Sequence, residues 1–202
     1  MDSLLILMSS LYSDEAWAPE GALVCDLRQL EGTCCYCESD AESAIAQEFG
    51  RLPLNAVHWI DGGDFHYLSD LWLRRLQEKT QLILFDNHPD DQEPAFGADM
   101  LSCGSWVAHS RRCNPLLVPE SDNVYLSIDL DYLSPDYART NWNQGTASLQ
   151  DLLDSLDASL KGKNLLGVDI CGGITAAQGG KAEDYAVNRR TRNILLDYFK
   201  AI

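Results

Sequence analysis

Residues 82–90 read Leu82-Ile83-Leu84-Phe85-Asp86-Asn87-His88-Pro89-Asp90, so an apolar segment runs directly into acidic and imidazole side chains. An uninterrupted apolar segment of this length is typical of a parallel strand that is covered on both faces. In extended chain, side chains two residues apart point to the same side. We therefore expect Asp86, His88 and Asp90 to converge just beyond the end of a buried strand.

Apolar runs of strand length recur along the chain and alternate with helical patterns. Besides 82–85, the predicted strands are 4–8, 56–60, 124–130 and 165–170. Apolar spacing and capping signals predict helices at 41–49, 70–79, 148–161 and 182–200. This alternation predicts an α/β sandwich with a mostly parallel sheet. At 202 residues, the chain is expected to form a single domain.

The composition excludes several classes of partner. Asp and Glu number 31 against 15 Lys and Arg, a formal charge of −16, and such a surface repels nucleic acid. No apolar run reaches the roughly 18 residues of a membrane-spanning helix, so no membrane partner is expected. The first eight residues lack a basic leader, and the cysteines are odd in number. These features predict a cytoplasmic protein with reduced thiols.

Two further clusters of metal-binding residue types follow predicted strands. They are Asp61-Gly62-Gly63-Asp64-Phe65-His66 and Ser127-Ile128-Asp129-Leu130-Asp131. Ligands of open α/β sheets bind beyond the carboxyl ends of the strands, so all three clusters are expected to meet there. The candidate metal ligands are His66, Asp86, His88, Asp90, Asp129 and Asp131.

The chemistry of this ligand set indicates two divalent cations. Four neighbouring carboxylates would repel one another and resist ionisation unless cations balance their charge. A set rich in oxygen, with some nitrogen and no thiolate, favours Mn²⁺ over Zn²⁺ or Fe²⁺. Two such ions roughly 3.5–4 Å apart lower the pKa of a water that they share. The alternative interpretation of each short motif, taken alone, is a turn or a cap.

Taken together and in this order, the three motifs resemble those of the arginase/agmatinase (ureohydrolase) family. The family signatures are Gly-Gly-Asp-His, Asp-Ala-His-x-Asp and Ser-x-Asp-x-Asp, and Asn143-Gln144-Gly145-Thr146 resembles a Gly-Thr turn of the family. The resemblance implies a three-layer α/β/α sandwich of the arginase/deacetylase-like type. The same resemblance implies that the site holds two Mn²⁺ ions. It also implies cleavage of a guanidino or amidino C–N bond with release of urea, and a homo-oligomer.

Two departures from the family pattern concern the metal site and proton transfer. His66 lies one residue later than the family histidine. In the region where the family has a proton-shuttling histidine, this chain has Cys103. Asp90 and Cys103 are therefore the candidate catalytic residues, because both side chains can transfer a proton. Packing is the alternative role of Cys103.

A third departure concerns the substrate. The family has a glutamate that grips the guanidinium, whereas this chain has Asp169 followed by Gly172 and Gly173. Asp169 either receives a cationic substrate or only orders the strand end. Glu183 and Asn143 are further candidates for substrate binding. The two glycines would leave room for a larger substrate, such as an arginine side chain within a peptide.

The sequence is also compatible with two other functions. A deacetylase-like amide hydrolase would use one zinc ion, but Asp90 and Asp129 complete a second site and disfavour it. A non-catalytic metal-binding protein would suit a site without its proton shuttle. The cluster Cys34-Cys35-Tyr36-Cys37 could hold a soft metal, although no matching Cys/His pair follows at zinc-finger spacing. His58 is expected in the core, and His109 on a helix as a solvated or structural residue.

Overall fold

A computed structural model describes residues 1–94, 97 and 100–202. The strands, in chain order, are β1 (Ser3–Leu7), β2 (Leu23–Asp26), β3 (Tyr36–Cys37), β4 (Val57–Trp59), β5 (Gln81–Phe85), β6 (Leu101–Ser102), β7 (Asn123–Asp129) and β8 (Asn164–Cys171). Within these residues, six strands form one parallel sheet in the order β2-β1-β4-β8-β7-β5. The short strands β3 and β6 pair antiparallel outside it.

Helices cover both faces of the sheet. They are α1 (Leu11–Asp14), α2 (Ser39–Phe49), α3 (Leu68–Leu73), α4 (Trp106–Cys113), α5 (Leu149–Leu160) and α6 (Ala182–Ala201). One core cluster packs α2, α3 and α4 against the sheet through residues such as Ile45 and Trp72. The other packs α5 and α6 against the opposite face, through Leu152 and Phe199. The fold is therefore the expected three-layer α/β/α sandwich. Among the helices described, none has the length and hydropathy needed to cross a bilayer.

Most predicted elements agree with the structure to within two residues at each end. The helix predicted at 70–79 is different, because α3 begins at Leu68 and ends at Leu73. The chain leaves the helix to pair Thr80 with the segment before β7, where Thr80 N donates to Leu116 O at 2.8 Å. Strand β2 was not predicted. It lies at the sheet edge, and its apolar residues Leu23 and Val24 are 52% and 59% exposed, so it lacks a buried pattern.

The register of the sheet brings four strand ends to one level. Phe85 of β5 lies beside Ile128 of β7, and Ile128 lies beside Ile170 of β8. Trp59 of β4 is also paired with Ile170. The residues that follow these positions therefore emerge together at the carboxyl edge of the sheet.

Candidate metal centre

The six predicted ligands lie together at the carboxyl edge of the sheet. Their potential ligand atoms form groups in which all atoms lie within 4.8 Å of one another. The groups are His66, Asp86 and Asp90; Asp86, His88 and Asp131; and His66, Asp129 and Cys171. Because Asp86 is common to the first two groups, the arrangement has the form of two adjacent cation sites that share one carboxylate.

His66 faces three carboxylates although it is displaced by one residue from the family pattern. Its Nδ1 lies 3.2 Å from Asp86 Oδ2 and 3.1 Å from Asp90 Oδ2. A 3₁₀ turn over Gly63–Phe65 carries the chain from β4 to this position. The other ring nitrogen, Nε2, lies 2.8 Å from Ser127 Oγ. If Nε2–H donates to this hydroxyl, Nδ1 presents its lone pair to the site, as metal-binding histidines usually do.

Backbone amides hold the second group of ligands. Asn87 N donates to Asp131 Oδ1 at 3.1 Å, and Asp131 N donates to Asp129 Oδ1 at 2.8 Å. His88 Nδ1 lies 2.8 Å from Asp131 Oδ2, and His88 N donates to Asp86 Oδ1 at 2.6 Å. These contacts fix the carboxylates in place before any cation binds.

Two tryptophans beside the candidate ligands have different roles. Trp106 is buried, and its Nε1 donates to Asp90 Oδ2 at 2.7 Å. Asp90 has φ +47°, a left-handed conformation that aspartate tolerates better than most residues. Trp106 thus orients a strained ligand. Trp142 is 39% exposed and lines the pocket, and its Nε1 donates to Asp64 Oδ1 at 2.9 Å.

The pKa values of the candidate ligands show that negative charge is crowded in the cluster. Burial, followed by the charges of Asp129 and Asp86, raises the pKa of Asp131 to about 9. Burial also raises the pKa of Asp90 and of Asp129, with Asp86 adding to both shifts. Burial alone would lower the pKa of His66, but the neighbouring acidic groups raise it well above its ordinary value. In the absence of cations, protons compensate for the crowded carboxylates.

The residues present fit a pair of divalent cations. Asp86 Oδ2 is a buried oxygen that has no hydrogen bond within the described part of the chain. A Cβ at Gly172, whose φ is +99°, would lie 2.6 Å from Asp129 Oδ1, so the chain packs against this ligand as closely as glycine permits. A shared carboxylate with an unsatisfied oxygen, within a set of oxygen and nitrogen donors, suits hard divalent cations.

A small pocket opens over these ligands. Its volume is about 110 Å³. The lining residues are Gly63, His66, Asp86, His88, Asp90, Gln92, Cys103, Gly104, Asp129, Asp131 and Trp142. The candidate catalytic residues Asp90 and Cys103 therefore both face the cavity. Burial, together with the charges of Asp90 and Asp64, raises the pKa of Cys103 to about 11, so this side chain is a neutral thiol at neutral pH.

The expected contact of Asp169 with a substrate does not fit the structure. Asp169 is fully buried, and its Oδ1 accepts a hydrogen bond from Tyr125 Oη at 2.7 Å. The same oxygen lies 2.8 Å from Nδ1 of His58, which is buried in the core as predicted. Because β8 carries Asp169 inside the sheet rather than at its end, this carboxylate orders the strand and does not line the pocket.

The remaining substrate predictions are also not supported by the geometry. Glu183 is exposed on the first turn of α6 and does not line the pocket. Asn143 is exposed, and its carbonyl accepts from Asn87 Nδ2 at 2.9 Å. Gly172 and Gly173 leave no free room, because a Cβ at Gly173 would lie 2.8 Å from Leu11 Cδ1. Asp169, Glu183 and Asn143 are therefore not among the residues that line the pocket.

Of the predicted cysteine cluster, Cys34 and Cys35 lie with Asp64 in a group that could also hold a metal ion. The Asp64 carboxylate already accepts hydrogen bonds from Asn141 Nδ2 at 3.0 Å and Gln178 Nε2 at 3.1 Å, besides that from Trp142. These bonds tie the carboxylate to the loops around the pocket. This group offers a weaker cation site than the six ligands.

Sequence reasoning missed two residues that touch the ligands. Ser127 was quoted in a motif but without its contact to His66. Cys171 donates from Sγ to Asp129 Oδ2 at 3.1 Å. Cys171 ends β8 and is paired in register with Asp129, so the strand-end rule that found the other residues could have found it.

The chain was compared with known proteins by sequence and by structure, and the solved structures share its fold. No protein-family model matches the chain. An uncharacterized protein of Thermotoga maritima is 31% identical over 144 residues, which are 57% of this chain and 57% of that protein. The chain thus aligns with little more than half of that relative. Arginase from Entamoeba histolytica superposes with a TM-score of 0.60 at 11% identity, covering 93% of this chain and 97% of that one.

A second solved structure extends the comparison. Proclavaminate amidino hydrolase from Streptomyces clavuligerus also has a TM-score of 0.60, at 15% identity, and the match covers 92% of this chain and 88% of that one. One of these proteins is named an arginase and the other an amidino hydrolase, and both share the overall fold of this chain. The chain therefore has the fold of the arginase-type ureohydrolases.

Proposed function

We propose that this chain is a binuclear manganese-dependent hydrolase of the arginase type, which releases urea from an arginine-like or peptidyl-arginine substrate. The observation that carries the proposal is the meeting of six ligand side chains from three strand ends, with Asp86 common to two groups. The proposal treats residues 1–202 as a single arginase-like domain that acts in the cytoplasm as a homo-oligomer. The described cysteines, all free, are consistent with that compartment.

The proposed ligands are the six residues of the cluster, and Mn²⁺ is preferred to Zn²⁺ or Fe²⁺ because carboxylates predominate over imidazoles. When bound, the ions supply Lewis-acid activation of water and of the substrate. Proton transfer is assigned to two side chains of the pocket, Cys103 and Asp90. Cys103 keeps its proton at neutral pH because its pKa is about 11, so it can donate that proton to the departing amine. Asp90, which faces the same cavity, is the proposed acceptor of a proton.

The pocket suits a small planar cation at the end of a longer molecule. A volume of about 110 Å³ accommodates a group such as guanidinium but not a whole peptide. Trp142 offers an exposed ring at the mouth, and a cation over an indole face is attracted by its π system. The formal charge of −16 favours the approach of a cation. The rest of the substrate would stay outside, which permits either a free guanidino compound or an arginine side chain in a peptide.

The proposal is tested with the full chain, stripped of metal and reloaded with Mn²⁺. Urea is measured with arginine, agmatine and a panel of arginine-containing peptides, and ornithine in the peptides is read by mass spectrometry. We expect Mn²⁺-dependent urea release that Asp131→Asn lowers by at least about 10³-fold, since one partner of a metal ligand set is lost. Asp122→Asn is the matched control, because the Asp122 side chain is 100% exposed. Circular dichroism confirms that both variants fold.

The alternatives give different results in the same experiment. Absence of urea from every substrate, with Mn²⁺ bound, would overturn the hydrolase proposal in favour of a non-catalytic metal-binding protein. Release of acetate from acetyl-lysine peptides with one zinc ion per chain would favour the deacetylase-like alternative.

A further inference from the structure

A second cavity, between α2, α3 and α4, contains a chain of acidic, imidazole and thiol side chains. Its volume is about 590 Å³, and Asp70, His109 and Cys113 line it. None of the residues lining this cavity is among those lining the metal pocket. The proposed urea chemistry makes no use of it.

The three side chains are linked in order. His109 Nδ1 lies 2.9 Å from Asp70 Oδ1, and His109 Nε2 lies 3.7 Å from Cys113 Sγ. His109 and Cys113 are four residues apart on α4, so they share one face of the helix. Asp70 is buried, His109 is 12% exposed and Cys113 is exposed. The order of exposure places the thiol at the solvent and the carboxylate beneath the imidazole.

The carboxylate is held in its ionised form. Burial would raise the pKa of Asp70, but the hydrogen bond from His109 and the charge of Arg74 bring it below its ordinary value. Arg74 lies 2.6 Å from Asp70 Oδ2 and 2.6 Å from Glu42 Oε1 of α2. An ionised Asp70 accepts a hydrogen bond from Nδ1–H of His109. This leaves the Nε2 lone pair directed toward the Cys113 thiol, the order of roles found in nucleophile–histidine–acid arrangements.

The surroundings favour one kind of thiol chemistry. Acyl transfer needs N–H donors that stabilise an oxyanion. The donors beside Cys113 are already engaged, because Asn114 N donates to Ser110 O at 2.9 Å and Asn114 Nδ2 donates to Leu73 O at 2.7 Å. Disulfide exchange needs no such donors, only a thiolate with access to a disulfide. The carboxyl end of α4 opposes a thiolate, so the charge on His109 must compensate for it.

We propose that Cys113 is a reactive thiol, a site of modification by low-molecular-weight disulfides, with His109 as proton acceptor and Asp70 as the positioning residue. The Cys113 proton passes to His109 Nε2, and the thiolate attacks one sulfur of the disulfide. The new S–S bond forms as the old one breaks, and the electron pair leaves with the second sulfur. That sulfur takes the proton from His109 and departs as a thiol. Cys113 is oxidised, and one disulfide is reduced.

The test uses the reduced full chain and 2-hydroxyethyl disulfide, a neutral probe, at pH 7. Acid-quenched samples are digested, and the occupancy of each cysteine is followed by mass spectrometry. Cys34 is also exposed and serves as the internal control. We expect Cys113 to react about tenfold or more faster than Cys34, because His109 Nε2, 3.7 Å from Cys113 Sγ, can accept the thiol proton as the sulfur attacks.

Variants separate this role from simple exposure. His109→Gln is expected to lower the rate at Cys113 to within about twofold of Cys34 while leaving Cys34 unchanged. Asp70→Asn should slow Cys113 partially, and an unchanged Cys34 rate controls for its folding. A rate at Cys113 no greater than at Cys34, or a rate that His109→Gln does not alter, would overturn the proposal. Cys113→Ser should leave Mn²⁺-dependent urea release intact, so the two proposals can fail separately.

Discussion

His66 Nδ1 lies 3.1 Å from Asp90 Oδ2, although the two residues follow strands that are not neighbours in the sheet. His66 follows β4 and Asp90 follows β5, with β8 and β7 between them. The contact therefore reaches across the ends of the two intervening strands, β8 and β7. Both atoms are therefore placed where they could hold the same cation.

The orientation of His66 yields a first prediction. Ser127→Ala removes the hydroxyl that lies 2.8 Å from His66 Nε2. Loss of such a supporting contact typically weakens metal affinity about 10–100-fold, and we expect a loss of that size. Titration calorimetry with Mn²⁺ measures it. Ser155→Ala is the control, because Ser155 on α5 bonds only its own helix, at Asp151 O, within the described residues. An affinity unchanged by Ser127→Ala would show that the hydroxyl does not position the ring.

The raised pKa of Asp131, about 9, predicts a dependence on pH. An unfolded aspartate has a pKa of about 3.9, so between roughly pH 4 and 9 the folded, metal-free protein retains a proton that the unfolded chain has lost. Its free energy of unfolding should therefore fall as pH rises through this window. Mn²⁺ displaces the proton, so the affinity for Mn²⁺ should rise with pH.

Proton release can be measured directly. Calorimetric titrations with Mn²⁺ at pH 7, in buffers of different ionisation enthalpy, give the number of protons released. We expect release of at least one proton per chain, with His66 contributing through its own raised pKa. Binding without proton release would contradict the described electrostatics of the cluster.

Much of the fold could be predicted from sequence because the buried strands are continuous apolar runs. The meeting of the candidate ligand side chains could be predicted because each group follows such a run at the same edge of the sheet. The position of His66 could be predicted less securely, since the 3₁₀ turn over Gly63–Phe65 decides where the ring points. The spacing of residues in the sequence does not predict such a turn.

The substrate contacts could not be predicted, and the reason is again geometric. Asp169 lies two residues before the end of β8, so its buried side chain contacts Tyr125 and His58 of the neighbouring strands below the carboxyl edge of the sheet. Sequence similarity alone suggested an acid near the strand end but did not give its depth. Trp142 lines the pocket but lies outside the three motifs that contain the candidate ligands.

The proposed role of Trp142 yields a third prediction. Trp142→Ala should raise the KM for a guanidino substrate about tenfold with little change in kcat, in line with the attraction of a cation to an indole face. Trp142→Phe keeps a ring but loses the hydrogen bond to Asp64 Oδ1, and it should have an intermediate KM. Steady-state kinetics of urea release measure both. Equal effects of the two substitutions would assign the role to the hydrogen bond with Asp64 instead of the ring.

Cys103 yields a fourth prediction. Cys103→Ala should lower kcat about 10²-fold and leave KM nearly unchanged, because a proton donor to the leaving amine is lost. Cys103→Ser should retain part of the rate. Cys25→Ala, which removes a buried thiol from the distant strand β2, controls for lost packing. A fully active Cys103→Ala variant would show that Cys103 is a packing residue.

The most direct test of the central claim is anomalous diffraction at the manganese edge from crystals of the full chain grown with Mn²⁺. We expect two peaks per chain, one beside His66 and Asp90 and the other beside His88 and Asp131, with Asp86 between them. A pocket without peaks, or manganese bound only elsewhere on the chain, would contradict it.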